Sequence, residues 1–124
     1  MKRDMDLCRE ILFAVHESDE DPRRWVSLDD LVAKHSQQVI SYHVVLLAEA
    51  ELIEATNLST MGPNGYRHLP SRLTWKGQEF LDSVRKDTLW EKAKQMTLEK
   101  TGGLSFQALS AAINAVVIGA ISGS

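Results

Sequence analysis

SQQVISYHVVLLAEAELI, residues 36–53, is the stretch that decides how this chain folds. Ser36 offers a capping oxygen, and from Gln37 to about Ala50 no glycine or proline interrupts a helix. Ile40, His43, Val44 and Leu47 recur at helical spacing and give an inward stripe. Gln37, Gln38, Ser41, Tyr42 and Val45 then form the outward face. Leu52-Ile53-Glu54-Ala55-Thr56 follows at once and alternates as a strand. A helix running so directly into a strand is presented beside whatever hairpin that strand opens.

Working outward, residues 58–65 carry a dense turn signal, Met61-Gly62-Pro63-Asn64-Gly65. Tyr66 to Leu73 returns as the second strand, with Pro70 confining it to an edge or ending it early. Upstream, Trp25-Val26 is short and β-prone. Ser27-Leu28-Asp29-Asp30 resembles a capping box and opens a brief helix to His35, with Leu28, Leu31 and Val32 inward. A first helix from about Arg3 to Glu17 carries the stripe Met5, Cys8, Ile11, Leu12 and Val15, and the acidic run 19–21 with Pro22 closes it. Downstream, Thr74 caps a helix whose Phe80, Leu81 and Val84 point inward. Thr88-x-x-Glu91 is a full capping-box signature for a helix starting near Leu89, and Ser105 caps a last helix to about Ile121. The order predicts an α+β, mainly α fold: a winged helix-turn-helix body over 1–86, with a C-terminal helical extension over 87–124.

Composition bounds the function. The 124 residues suffice for one domain with an appendage, and 44% hydrophobic with 25% charged residues excludes disordered and fibrous classes. Net charge −3 argues against a generic polyanion binder. The single cysteine, Cys8, excludes an internal disulfide framework and suits a reducing cytoplasm; on the first helix's apolar stripe it reads as a small core residue. No apolar run follows the mixed-charge start MKRDMDLCRE, so no secretory signal is expected. His16, His35, His43 and His68 lack i, i+4 pairing, which predicts no metal site, and His43 reads as a hydrogen-bonded core histidine. Nucleotide-binding glycine loops and nucleophile elbows are missing, so neither cofactor nor catalysis is expected. Trp25, Trp75 and Trp90 sit on separate elements and are read as packing anchors.

Residues 41–53 resemble the Ser-x-His-Leu-x-x-Leu-x-x-Ala-Gly-Leu-Ile pattern of bacterial winged-helix regulators. Ser41, His43, Leu47, Ala50, Leu52 and Ile53 match; Val44 replaces a leucine, and Glu51 stands where that pattern has glycine. Such a glycine takes positive φ at a helix end, which costs other residues about 1 kcal/mol or more. Arg72-Leu73-Thr74-Trp75-Lys76-Gly77 resembles the Leu-Thr-x-x-Gly junction after the second wing strand. Over residues 1–106, MKRDMDLCREIL, the third-helix segment, RLTWKGQEFLDSVRKDTLW and GGLSF are together similar to a bacterial and prophage family of unknown function. That resemblance implies a winged-helix-like body and no assigned activity.

The expected function is that of a small cytoplasmic, regulator-type DNA-binding protein. Gln37, Gln38, Ser41 and Tyr42 would reach bases, with Arg23, Arg24, Lys34, Arg67 and His68 on phosphates. Between Ser36 and Tyr66, however, the sequence has no Lys or Arg, while Glu49, Glu51 and Glu54 are present. Duplex affinity comes largely from neutralised phosphates, so the alternative is a winged-helix protein-interaction module. Residues 102–124 carry no charge. Leu109, Ile113, Val116 and Val117 form a wide apolar face there that predicts packing on the body or pairing into a homodimer, and a membrane anchor is the less favoured reading.

Overall fold

A computed structural model of the chain describes residues 1–19, 21–101 and 108–113. The elements run α1 (Met5–Glu17), α2 (Asp29–Val32), α3 (Gln37–Glu49), β1 (Ile53–Asn57), β2 (His68–Leu73), α4 (Trp75–Val84) and α5 (Asp87–Thr101). The architecture is α+β and mainly helical, with one two-stranded antiparallel sheet. Two compact units divide it, Met1–Glu79 and Phe80–Ser124.

In the first unit, Asp4 caps α1, its carboxylate accepting from the N–H groups of Asp6 and Leu7. The expected stripe of α1 is buried, together with Leu7. α1 packs on α3 and β2, and α3 packs on both strands. Ile40, Val44 and Leu47 of α3 and Leu52, Ile53, Leu69 and Leu73 of the hairpin complete this core.

The C-terminus of α3 explains both motifs that flank the hairpin. Glu51 has φ 65°, so the left-handed position is kept without a glycine. Its N–H reaches the Ala48 carbonyl at 3.0 Å and the Leu52 N–H reaches the Leu47 carbonyl at 3.0 Å, the paired bonds of a Schellman ending. Leu47 and Leu52 are both buried, supplying the hydrophobic contact such an ending favours. Thr74 then clasps the same turn: its N–H donates to the Leu52 carbonyl at 2.9 Å and its hydroxyl to the Glu51 carbonyl at 2.6 Å. The Thr74 hydroxyl also caps α4 by accepting from the Gly77 N–H at 3.0 Å. A Cβ on Gly77 would lie 2.0 Å from the Leu52 carbonyl oxygen, so this backbone crossing has room only for glycine.

Strands β1 and β2 pair from Ile53–Leu73 to Asn57–His68. The register jumps from Glu54–Arg72 to Ala55–Pro70, which leaves Ser71 as the extra residue of a bulge. Pro70 thus sits inside β2 beside an irregularity and does not end the strand. Its carbonyl accepts from the Val26 N–H at 2.7 Å, so the β-prone 25–26 segment contributes one rung to the sheet edge.

Several local expectations are corrected. α2 is a single turn starting at Asp29, and Val32 is exposed, not inward; a helix this short has no continuous stripe to bury. α5 starts at Asp87, with the Trp90 N–H on the Lys86 carbonyl, so Thr88 lies inside the first turn and not at the cap. Trp90 is buried as an anchor, but Trp25 and Trp75 are 51% and 80% exposed. Trp75 projects from the first turn of α4, where its indole N–H donates to Glu79 one turn on.

The second unit buries Phe80, Leu81, Val84, Trp90, Ala93 and Thr97, the last with its hydroxyl on the Ala93 carbonyl. Residues 108–113 are helical, with Leu109 and Ile113 buried in the single chain. Val116 and Val117, the rest of the expected pairing face, lie outside the described residues, as do the expected caps and end of that helix. Among the described residues no helix is long and apolar enough to cross a membrane.

Candidate nucleic-acid interface

The face in question joins the first turn of α3 to the hairpin loop. Ser36 caps α3 by accepting from the Val39 N–H at 3.1 Å, which leaves Gln37 and Gln38 on the first turn, both exposed. The loop opposite is built by a short ladder beyond the strands. Leu58 N–H donates to the Arg67 carbonyl at 2.8 Å, and the Ser59 hydroxyl accepts from the Arg67 N–H at 3.0 Å. Thr60 N–H donates to the Gly65 carbonyl at 2.8 Å, and a Cβ on Gly65 would lie 1.9 Å from the Thr60 carbonyl oxygen. The turn is therefore tight enough to require glycine there.

One hydrogen bond ties loop to helix: Gln37 Nε2 donates to the Tyr66 carbonyl at 3.3 Å. Between them lies a cleft of about 270 Å³ lined by Ser36, Gln37, Gln38, Pro63, Asn64 and Tyr66. The Tyr66 ring is backed by the His68 imidazole, with centroids 5.0 Å apart. No side chain lining the cleft is charged.

The expected contact residues separate on the structure. Gln37 and Gln38 stand together at the cleft, and Lys34 and Arg67 are exposed on the segments that flank it in sequence. Arg24 is exposed as well. Arg23 is exposed but already engaged, its guanidinium and backbone N–H both on the Asp21 carboxylate, the shortest contact 2.7 Å. That guanidinium holds the Asp21 carboxyl below the usual carboxylate range. His68 is half-buried behind Tyr66.

Ser41 is corrected outright: it is 1% exposed, and its hydroxyl accepts from the His68 N–H at 3.1 Å. It fastens the start of β2 to α3 and cannot face a ligand. Tyr42 is half-buried, edge-on to His43, and Val45 is half-buried too, so the exposed residues of α3 are Gln37, Gln38 and Glu49.

His43 is buried, as its spacing implied, and its two bonds fix its chemical form. Nδ1 lies 2.8 Å from the Val39 carbonyl, which can only accept, so Nδ1 carries the proton. Nε2 accepts from the Asp4 N–H at 2.8 Å. The imidazole is thus a neutral bracket between α3 and the start of α1. Sequence reasoning missed the Asp4 partner, 39 positions away. It also missed Asn64 and Tyr66, although the turn signal around Pro63 and Gly65 marked their loop. Burial and the Asp4 carboxylate push the Cys8 thiol up to about 12, so it is no nucleophile. Among the described residues no group of three or more His, Cys, Asp or Glu side chains could hold a metal ion.

Comparisons with other proteins agree on kinship and are silent on activity. An uncharacterised protein of Haemophilus influenzae is 34% identical over 117 residues, covering 94% of this chain and 96% of that one. No solved structure matches the chain significantly. The model of a family described as "Hypothetical protein (DUF2513)" matches residues 2–103, and the chain belongs to that family.

Proposed function

We propose that the first unit is a winged helix-turn-helix that binds DNA, with the first turn of α3 entering the major groove and the 58–67 loop acting as the wing. The observation that carries this reading is the exposed Gln37–Gln38 pair braced against the hairpin through the Gln37–Tyr66 bond. Recognition helices contact base edges mainly with their N-terminal residues, and a glutamine amide pairs bidentately with adenine. Lys34, Arg67 and Arg24 supply the phosphate contacts, and binding involves no chemistry. Adjacent half-sites occupied by two copies would raise the modest affinity that so few cations allow. A mobility shift on a random duplex pool at low salt tests it. The expected result is a salt-sensitive shift that Arg67→Ala weakens and Gln38→Ala makes less selective; no shift with any duplex at low salt overturns it.

A second reading, docking of a protein partner, is favoured by one observation: Met61 at the loop tip is fully exposed, on a loop that carries no cation before Arg67. Met61→Ser separates the two readings, because it leaves a phosphate-driven shift unchanged and weakens an apolar contact.

A further inference from the structure

The cleft between the first turn of α3 and the loop has a chemistry that duplex binding alone does not use. It is lined by Ser36, Gln37 and Gln38 from the helix and by Pro63, Asn64 and Tyr66 from the loop. Amides offer donors and acceptors together, and an aromatic face with a proline ring suits a flat π-system. The lack of charge disfavours a phosphate or a carboxylate as the buried group. Among the described residues, the Gln38 and Asn64 side chains bond to no protein group, so their hydrogen-bonding capacity is open to a ligand. The cleft is also held in shape beforehand. Gln37 clamps the Tyr66 backbone, His68 backs its ring, and the Thr60–Gly65 rung closes the loop beneath it. Little ordering entropy is then lost when a ligand enters.

We infer that this cleft receives one unpaired adenine-type base, stacked on Tyr66 and hydrogen-bonded at its edge by the Gln38 and Asn64 amides. The inference rests on the nucleic-acid reading above and adds an unpaired base to the duplex that the α3–loop face is proposed to contact. A base inside a duplex cannot enter a cleft walled on two sides, whereas one from a single strand or a free nucleoside can.

The test follows the side-chain amide resonances of Gln37, Gln38 and Asn64 in the full chain. Four probes are titrated: adenosine, a single-stranded oligo(dA), the same-length strand with abasic sites, and a duplex. Oligo(dA) is expected to shift these amides and the abasic strand to leave them in place. A parallel response to adenosine identifies free nucleoside as a sufficient source, and a response to oligo(dA) alone identifies a strand-borne base. Tyr66→Ala should weaken oligo(dA) binding about tenfold while Tyr66→Phe retains it, as expected for loss of one stacked base. Gln38→Leu, on the exposed surface of the helix, gives the same loss if Tyr66→Ala fails to fold. Equal shifts with abasic and normal strands, or no shift with any single strand or nucleoside, overturn the inference. Duplex binding that persists in that case leaves the DNA-binding reading standing, and silence from all four probes, with the duplex supplied as the random pool at low salt, removes both.

Discussion

Glu51 holds a left-handed conformation that L-residues with side chains adopt at a cost, and nothing about its carboxylate requires it there. Glu51→Gly should therefore raise stability by roughly 0.5–1 kcal/mol, the relief of strain exceeding the extra freedom glycine gives the unfolded chain. Gly77→Ala is the opposite case. Its methyl would meet the Leu52 carbonyl, and a loss of about 1–3 kcal/mol or more is expected; denaturant midpoints measure both. At Cys8 the sign of the pH effect follows from the raised pKa. Below about 9 the thiol is protonated folded or unfolded, and between about 9 and about 12 only the unfolded chain loses its proton. Stability should fall as pH rises through that window, and Cys8→Ala should flatten the fall. At neutral pH a thiol reagent should label Cys8 only at the rate the fold opens.

At the scale of elements, much of the first unit was written in local pattern. Ser36, the Ile40–Leu47 stripe and the Gly-rich turn each depend on neighbours within a few positions, and the structure carries all three. What failed depended on distant partners. Spacing puts Ser41 on the outward face, and only its bond to the His68 N–H of the returning strand shows that it points inward. Trp25 and Trp75 have the composition of core residues, but local sequence does not say which side of a short segment meets solvent. The cleft was half legible: Gln37 and Gln38 came from helix periodicity, whereas Tyr66 and Asn64 needed the loop's closure to bring them opposite. The 21–24 segment yields a further prediction. Asp21→Asn removes the carboxylate that occupies Arg23, so under the DNA-binding proposal it should tighten binding and steepen its salt dependence by about one unit of log–log slope. Unchanged binding would place Arg23 away from the DNA.

For the whole molecule, charge sets the ceiling on the DNA affinity proposed above. With Arg24, Lys34 and Arg67 available and Arg23 occupied, log K against log salt should have a slope of about −2 to −4. Leu109 and Ile113 are already buried within one chain, which leaves them little apolar area to offer a second copy. Leu109→Ala or Ile113→Ala should lower the melting midpoint, by an equivalent of about 2–5 kcal/mol, without changing the sedimenting mass. The clasp of Thr74 and Gly77 on the Glu51–Leu52 turn has a consequence for engineering. It pins the two ends of the hairpin independently of the tip, and doubling a closed loop's length adds only about 0.6 kcal/mol of entropy. A peptide grafted between Met61 and Asn64 should be carried as cargo on an intact scaffold, giving a well-folded protein in which the recess proposed to take a base is obstructed.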